Sequence, residues 1–231
     1  MRVESGEPRS RRERPAKPAL TRAGIVATAI EIMRAEGLAK VTVRRLAQAL
    51  DTGPASLYVY FRHTAELHAA ILDELLGTIP PPPAHGDWRH RLERVLTDYT
   101  VMLFQHPSLA RSALVARPRG QHYLDLVESL LALLEEGGVP SAQAAWGVDV
   151  LLQFGTATAA EQGTRDESID AADDWDGLLG ALRGTSAQTH PHIAALAGAL
   201  MSGAPDQRLS WGFTMLINGI AATPVPTGAT P

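Results

Sequence analysis

Arg44, Ser56, Tyr58, Tyr60, His63 and Thr64 fall in or just after one short stretch, TVRRLAQALDTGPASLYVYF (residues 42–61). A guanidinium near the start of a helix can bond a guanine edge in two places, worth about 1–3 kcal/mol of discrimination against a wrong base. Hydroxyls and an imidazole suit phosphate oxygens, which set register without reading sequence. Arg44 is the best candidate for a base contact, its alternative being a surface charge; for Arg45 the surface charge is the preferred reading. Ala55, Ser56 and Val59 suit van der Waals contact with thymine methyls or a single hydroxyl bond. Tyr58, Tyr60, His63 and Thr64 suit phosphates, and Pro54, in the first turn of the same helix, is grouped with these contacts. The chemistry implied is recognition of duplex DNA.

Such side chains act only if helices hold them. Val43, Leu46, Ala47 and Leu50 follow the i, i+3, i+4, i+7 spacing of one buried stripe, and Thr42 can cap that helix. Asp51, Thr52 and Gly53 break it. Pro54 then starts a second helix at a position where its missing N–H costs nothing. Leu57 and Phe61 share one face, and Ala55, Ser56 and Val59 share the opposite one. Large apolar groups there would suit a core and charges would suit water, whereas a low profile suits a major groove about 12 Å wide. An earlier helix, capped by Thr21 and ended by Gly37, is expected to bury Val26, Ala27, Ile30 and Met33. A fourth runs from about 64 to 76.

The rest of the chain also reads as helix. Candidates lie near 87–105, 107–116, 120–136, 141–162, 174–183, 191–202 and 206–222, and the chain is expected to be all-α. Four prolines at 80–83 separate the two halves, because proline cannot continue a helix. The acid-rich segment DESIDAADDWD (residues 166–176) is expected to be a solvated loop. Gly147, Gly155, Gly212 and Gly219 sit inside helices at a cost of about 1 kcal/mol each relative to alanine, so another backbone must come close. A two-fold bundle is the preferred cause, with packing inside one monomer as the alternative.

Composition limits the function classes. The 231 residues include no cysteine, which removes disulfides, thiolate catalysis and Cys-based zinc sites. No apolar run reaches the roughly 18 residues of a membrane span, and a cytoplasmic location is expected. The net charge of −4 divides unevenly: residues 1–76 hold 12 Lys/Arg against 9 Asp/Glu, leaving 9 against 16 for the remainder. A basic end beside an acidic body suits a polyanion met at one end only. His190 and His192 lack a carboxylate at ligand spacing, so no metal site is expected. No GxSxG, Walker or HExxH motif appears, and neither an enzyme nor a cofactor is expected.

Residues 20–76, with TVRRLAQAL, PASLYVYF and the helix starting near Thr64, resemble the tetracycline-repressor (TetR) family of bacterial transcription regulators. The resemblance implies a three-helix helix-turn-helix DNA-binding domain at 20–78 and a larger helical ligand-binding and dimerisation domain at 87–222. Residues 1–19 and 223–231 are expected to be disordered tails. The family usually has Lys where this chain has Thr64, which should weaken phosphate binding; the Arg-rich tail could compensate along the backbone or minor groove.

RPRGQHYLDLVESLLALLEEGG (residues 117–138) and RLSWGFTMLINGIAA (residues 208–222) resemble parts of the tetracycline repressors themselves, implying an inducer pocket and a homodimer. Phe104, Arg117, His122, Trp146, Gln153 and Phe154 are its expected lining. Where those repressors keep a metal-binding His, ahead of the Arg-Pro pair, this chain has Ala113, so a magnesium-chelated tetracycline is not the expected ligand. The expected function is a transcription repressor released from a palindromic operator by a small molecule. The alternative is a dimeric small-molecule-binding or adaptor protein with weak or lost DNA binding.

Overall fold

Two threonines open the first two helices by the same device. The computed structural model describes residues 19–115, 117–168 and 170–226. In it the Thr21 hydroxyl accepts the Gly24 amide at 3.0 Å ahead of α1 (Arg22–Glu36). The Thr42 hydroxyl accepts the Arg45 amide at 3.1 Å ahead of α2 (Val43–Ala49). Each bond satisfies an amide that has no partner within its own helix. Proline takes the first position of α3 (Pro54–Tyr58), and His63 caps α4 (Thr64–Leu76) through Nδ1, which accepts the Glu66 amide.

The larger part of the chain follows as α5 (Trp88–Phe104), α6 (Pro107–Ala113), α7 (Gln121–Glu136), α8 (Ser141–Glu167), α9 (Ala171–Arg183), α10 (Pro191–Leu200) and α11 (Pro205–Ala222). The fold is all-α, with no strand among the described residues. α5 and α8 pair most extensively, and α6, α7 and α11 close around them. The core between them includes Leu92, Leu96, Leu103, Leu130, Leu151 and Phe213, all fully buried.

α4 has a different place. It packs on α1 on one side and on α6 and α7 on the other, with Leu67, Ile71, Leu72, Leu75 and Leu76 buried. A helix that starts six residues after the end of α3 is therefore part of two packing units at once.

Three expectations change. In α1 the buried set is Ile25, Val26, Ala29, Ile30, Ile32 and Met33, while Ala27 is exposed; the buried surface is broad because α2 and α4 both pack on α1. The acid-rich segment 166–176 is not a loop: α8 runs to Glu167 and α9 begins at Ala171. Its acids find helical uses. Gln162 donates to Asp166 at 2.8 Å, and Asp173 and Asp174 sit in the first turn of α9, where the helix dipole favours negative charge.

The glycines give the third correction. A Cβ at Gly147 would stand 2.6 Å from Ile220, at Gly155 2.6 Å from the Thr100 hydroxyl and at Gly212 2.6 Å from the Phe154 ring. These three glycines are filled by side chains of the same chain, not by a two-fold mate. Gly219 alone of the four faces open space.

Candidate nucleic-acid interface and ligand cavity

The turn between α2 and α3 is compact because the chain closes on itself. The Thr52 amide donates to the Ala47 carbonyl at 2.9 Å, and Asp51 takes a left-handed conformation (φ 46°), which an Asp tolerates better than most residues. Leu46, Ala47, Leu57 and Phe61 are buried. That burial fixes the angle between the two helices and leaves the other side of α3 turned to solvent.

On that side Pro54, Ala55 and Ser56 are exposed, Tyr58 is 54% exposed and Val59 is 81% exposed. Arg44, His63 and Thr64 are exposed as well. Arg44 makes no ion pair with any described residue, in contrast to its neighbour. The Arg45 guanidinium holds Glu36 at 2.6 Å and ties the end of α1 to α2. This hydrogen bond keeps the Glu36 carboxyl below its usual range. Two adjacent arginines thus have different work: one braces the unit and the other is available.

Tyr60 differs from its eight companions. It is half-buried, and its hydroxyl donates to the Leu20 carbonyl at 2.5 Å. At about 100° per residue, position 60 lies only about 60° from Leu57 on the helix wheel, so it follows the buried side. Arg22, which the sequence reading did not single out, stacks its guanidinium 4.5 Å over the Phe61 ring. Glu66 closes the following loop by accepting the Arg62 amide at 2.9 Å, a bond that lowers its carboxyl below the usual range. The reading helix is therefore braced by α1 and by the start of α4.

A small cavity of about 70 Å³ lies where Leu114, Arg117 and Pro118 meet α4, α5, α7 and α8. Of the six expected lining residues, Arg117 and Gln153 line it. The other four lie elsewhere. His122 stands beside Gly77 and Asp73 in the neighbouring cleft. Phe154 meets Phe213 edge-on at 5.1 Å in the seam between α8 and α11. Trp146 is on the outer side of α8 beside Met215, and Phe104 is half-buried against the core without lining the cavity. Residues of one long helix face different neighbours, which spacing alone does not assign.

Two residues of the cavity's polar wall, Tyr99 and Thr156, are ones that the sequence reading missed. The Thr156 hydroxyl donates to the Leu152 carbonyl at 2.7 Å. The 2.6 Å contact between Tyr99 and Thr156 therefore has the tyrosine as donor. Burial pushes the Tyr99 phenol up to about 12. The Arg117 guanidinium bonds the Asp149 carboxylate, which raises its pKa. Tyr123 and Ala113 complete the neighbourhood. The one available signal was a Tyr and a Thr interrupting otherwise aliphatic stripes in α5 and α8. Pockets that hold a drug-sized molecule run from about 300 Å³. A ligand of that size would have to part Arg117 and Pro118 from α8.

Comparison with known proteins gives a consistent picture. The family model for bacterial regulatory proteins of the tetR family matches residues 25–71, and that for the tetracyclin repressor-like C-terminal domain matches residues 80–223. The HTH-type transcriptional repressor DrrR1 of Streptomyces coeruleorubidus is 33% identical over 131 residues. That match covers 56% of this chain and 48% of DrrR1, so it spans about half the length of that relative. Among solved structures, the Streptomyces protein SCO7704 is 58% identical, with a TM-score of 0.78, over 92% of this chain and 100% of its own. ActR of Streptomyces coelicolor, in complex with actinorhodin, is 35% identical, with a TM-score of 0.78, over 89% of this chain and 97% of its own.

Proposed function

Because the chain belongs to the tetR family of bacterial regulatory proteins, we propose that it is a homodimeric repressor that reads a palindromic operator and releases it when a small molecule binds. The observation that carries this is the two-sided character of α3. Leu57 and Phe61 are buried while Ala55, Ser56 and Val59 are exposed, so a slim apolar surface is presented on a rigid mount. Ser56 and Val59 meet base edges, Arg44 a guanine, and Tyr58, His63 and Thr64 the phosphates. Tyr60 serves instead to hold α3 against the residues before α1. The tail at 1–18 lies outside the described residues.

Dimerisation is supported by what one chain leaves uncovered. Trp146 and Trp211 are 52% and 68% exposed, and Val150 and Met215, exposed as well, line one cleft with Trp146 on the outer side of α8 and α11. α9 and α10 bury no residue of their own, although α10 is almost wholly apolar. A second copy covering these surfaces would place two α3 helices against successive major grooves about 34–36 Å apart. Residues 223–226, expected as tail, line the same cleft as Trp146, and 227–231 lie outside the described residues.

The cavity at Arg117 and Tyr99 is the proposed inducer site. ActR, solved with actinorhodin, supports an organic molecule as the inducer. Ala113 beside Arg117 offers no metal ligand, so the proposed inducer binds without a chelated ion. The reading helices act in the cytoplasm, where the DNA is; no helix among the described residues is long and apolar enough to cross a membrane.

Arg44 gives the test. Replacing it with Ala should weaken operator binding by about 5- to 150-fold, the 1–3 kcal/mol of a bidentate guanine contact, with the far-UV spectrum and the dimer unchanged. Fluorescence anisotropy on a labelled operator measures this. Unchanged affinity would remove Arg44 from the interface and weaken the function with it.

A further inference from the structure

α7 has no cap of its own. Its N-cap residue is Gly120, which has no side chain to offer. The cap comes from another helix: Asp73 of α4 accepts the Tyr123 amide, at the third position of α7, at 3.0 Å. A carboxylate at a helix N-terminus is favoured both by the free amides and by the dipole. Asp73 is well placed to serve, with only 16% of its side chain exposed.

The glycine is part of the same device. A methyl group at Gly120 would overlap the Asp73 carboxylate, so the absence of a local side chain is what admits the distant one. A second point of attachment lies one turn further along α4. There a Cβ at Gly77 would come within 2.7 Å of the His122 ring, and His122 Nδ1 stands 3.7 Å from Asp73 Oδ2. The first turn of α7 and the last two turns of α4 are thus held together by groups that leave no slack.

Tyr123 belongs to both sides. Its side chain lines the cavity with Arg117 and Pro118, and its amide donates the hydrogen bond that Asp73 accepts. A molecule that displaces Arg117 and Pro118 must disturb the start of α7, and α4 leads from there to the end of α3.

We propose that Asp73 is the positioning residue that couples the cavity to the reading helix, acting as the N-cap of α7 through the Tyr123 amide. The proposal rests on the function above and adds the joint through which regulation passes. Linkage is reciprocal, so DNA seated on α3 must be felt at Tyr123 even with no inducer present.

The test uses the full chain and a duplex chosen from a random pool, with amide hydrogen exchange at Tyr123 read by NMR. Operator should slow that exchange by about fivefold or more, the low end of ordinary allosteric coupling. In Asp73→Ala and in Gly120→Ala, which expels the carboxylate while keeping it in the sequence, exchange should be fast and indifferent to operator. Asp73→Asn, which keeps an acceptor oxygen, should retain part of the effect and serves if the other two fold poorly. A merely structural Asp73 would lower the melting temperature and free the Tyr123 amide in the variants, but leave operator-dependent slowing at the next amide, Leu124, which donates to the Gly120 carbonyl, at its wild-type size; that result would overturn the joint. Operator binding with no slowing in the wild type would overturn it too. A wild-type chain that selects no duplex would instead overturn the function, and the joint with it.

Discussion

Replacing Ser56 with Glu is expected to abolish operator binding while leaving the protein folded. Ser56 is exposed and bonds no described residue outside its own turn, so the substitution should change stability by no more than about 0.5 kcal/mol, as for most surface positions. On DNA the same carboxylate would enter a groove walled by phosphates and facing base edges. The hydroxyl contact is lost, a longer side chain holds the backbone away, and a negative charge is desolvated beside others. Loss of even one or two base contacts, at about 1–3 kcal/mol each, together with the repulsion, amounts to at least about 100-fold in affinity. Gel retardation beside a thermal melt separates the two effects. A variant that melts normally and still shifts the operator would show that α3 does not lie in the groove.

The second large effect is expected from Trp211→Glu combined with Met215→Glu. Both side chains are half-exposed or more in the single chain, while Leu209, Phe213 and Ile217 of the same helix are buried. The protomer should therefore keep its fold. Two carboxylates at an apolar seam without partners would cost several kcal/mol if buried, and aromatic anchors of this kind hold most of the energy of an interface. The molar mass by light scattering should fall to that of one chain. Operator affinity should fall with it by orders of magnitude, because one reading head engages only one half-site. A variant that remains dimeric would place the interface on another surface.

The reading unit was legible because its requirements are local. Thr21, Thr42 and Pro54 mark helix starts, Leu46, Leu57 and Phe61 mark the buried side, and the structure places them accordingly. Tyr60 was misplaced because a helix of 5 residues gives too little pattern to separate a flank from a face.

The second half was less legible. Its helices could be counted from periodicity, but which of their sides meet is a tertiary fact. Trp146, Gln153 and Phe154 all lie on α8 within eight positions, yet one faces outward, one lines the cavity and one enters the seam with α11. Three of the four internal glycines signalled close approach, whereas the approaching groups, Ile220, Thr100 and Phe154, are side chains of the same chain and not another backbone. The acid-rich segment misled because charge density suggests solvent, and the first turn of a helix satisfies acids equally well. Asp73 carried no signal at all, since a cap borrowed from another helix leaves no trace in local sequence.

The most direct measurement is selection of duplexes by the full-length protein from a random pool, followed by sequencing. Two inverted half-sites with centres about 10 base pairs, or one helical turn, apart or at multiples of this are expected. Enrichment should vanish when Ser56→Glu is used in its place. A pool that stays random, or the same enrichment from the variant, would contradict the reading of α3 as the helix that meets DNA.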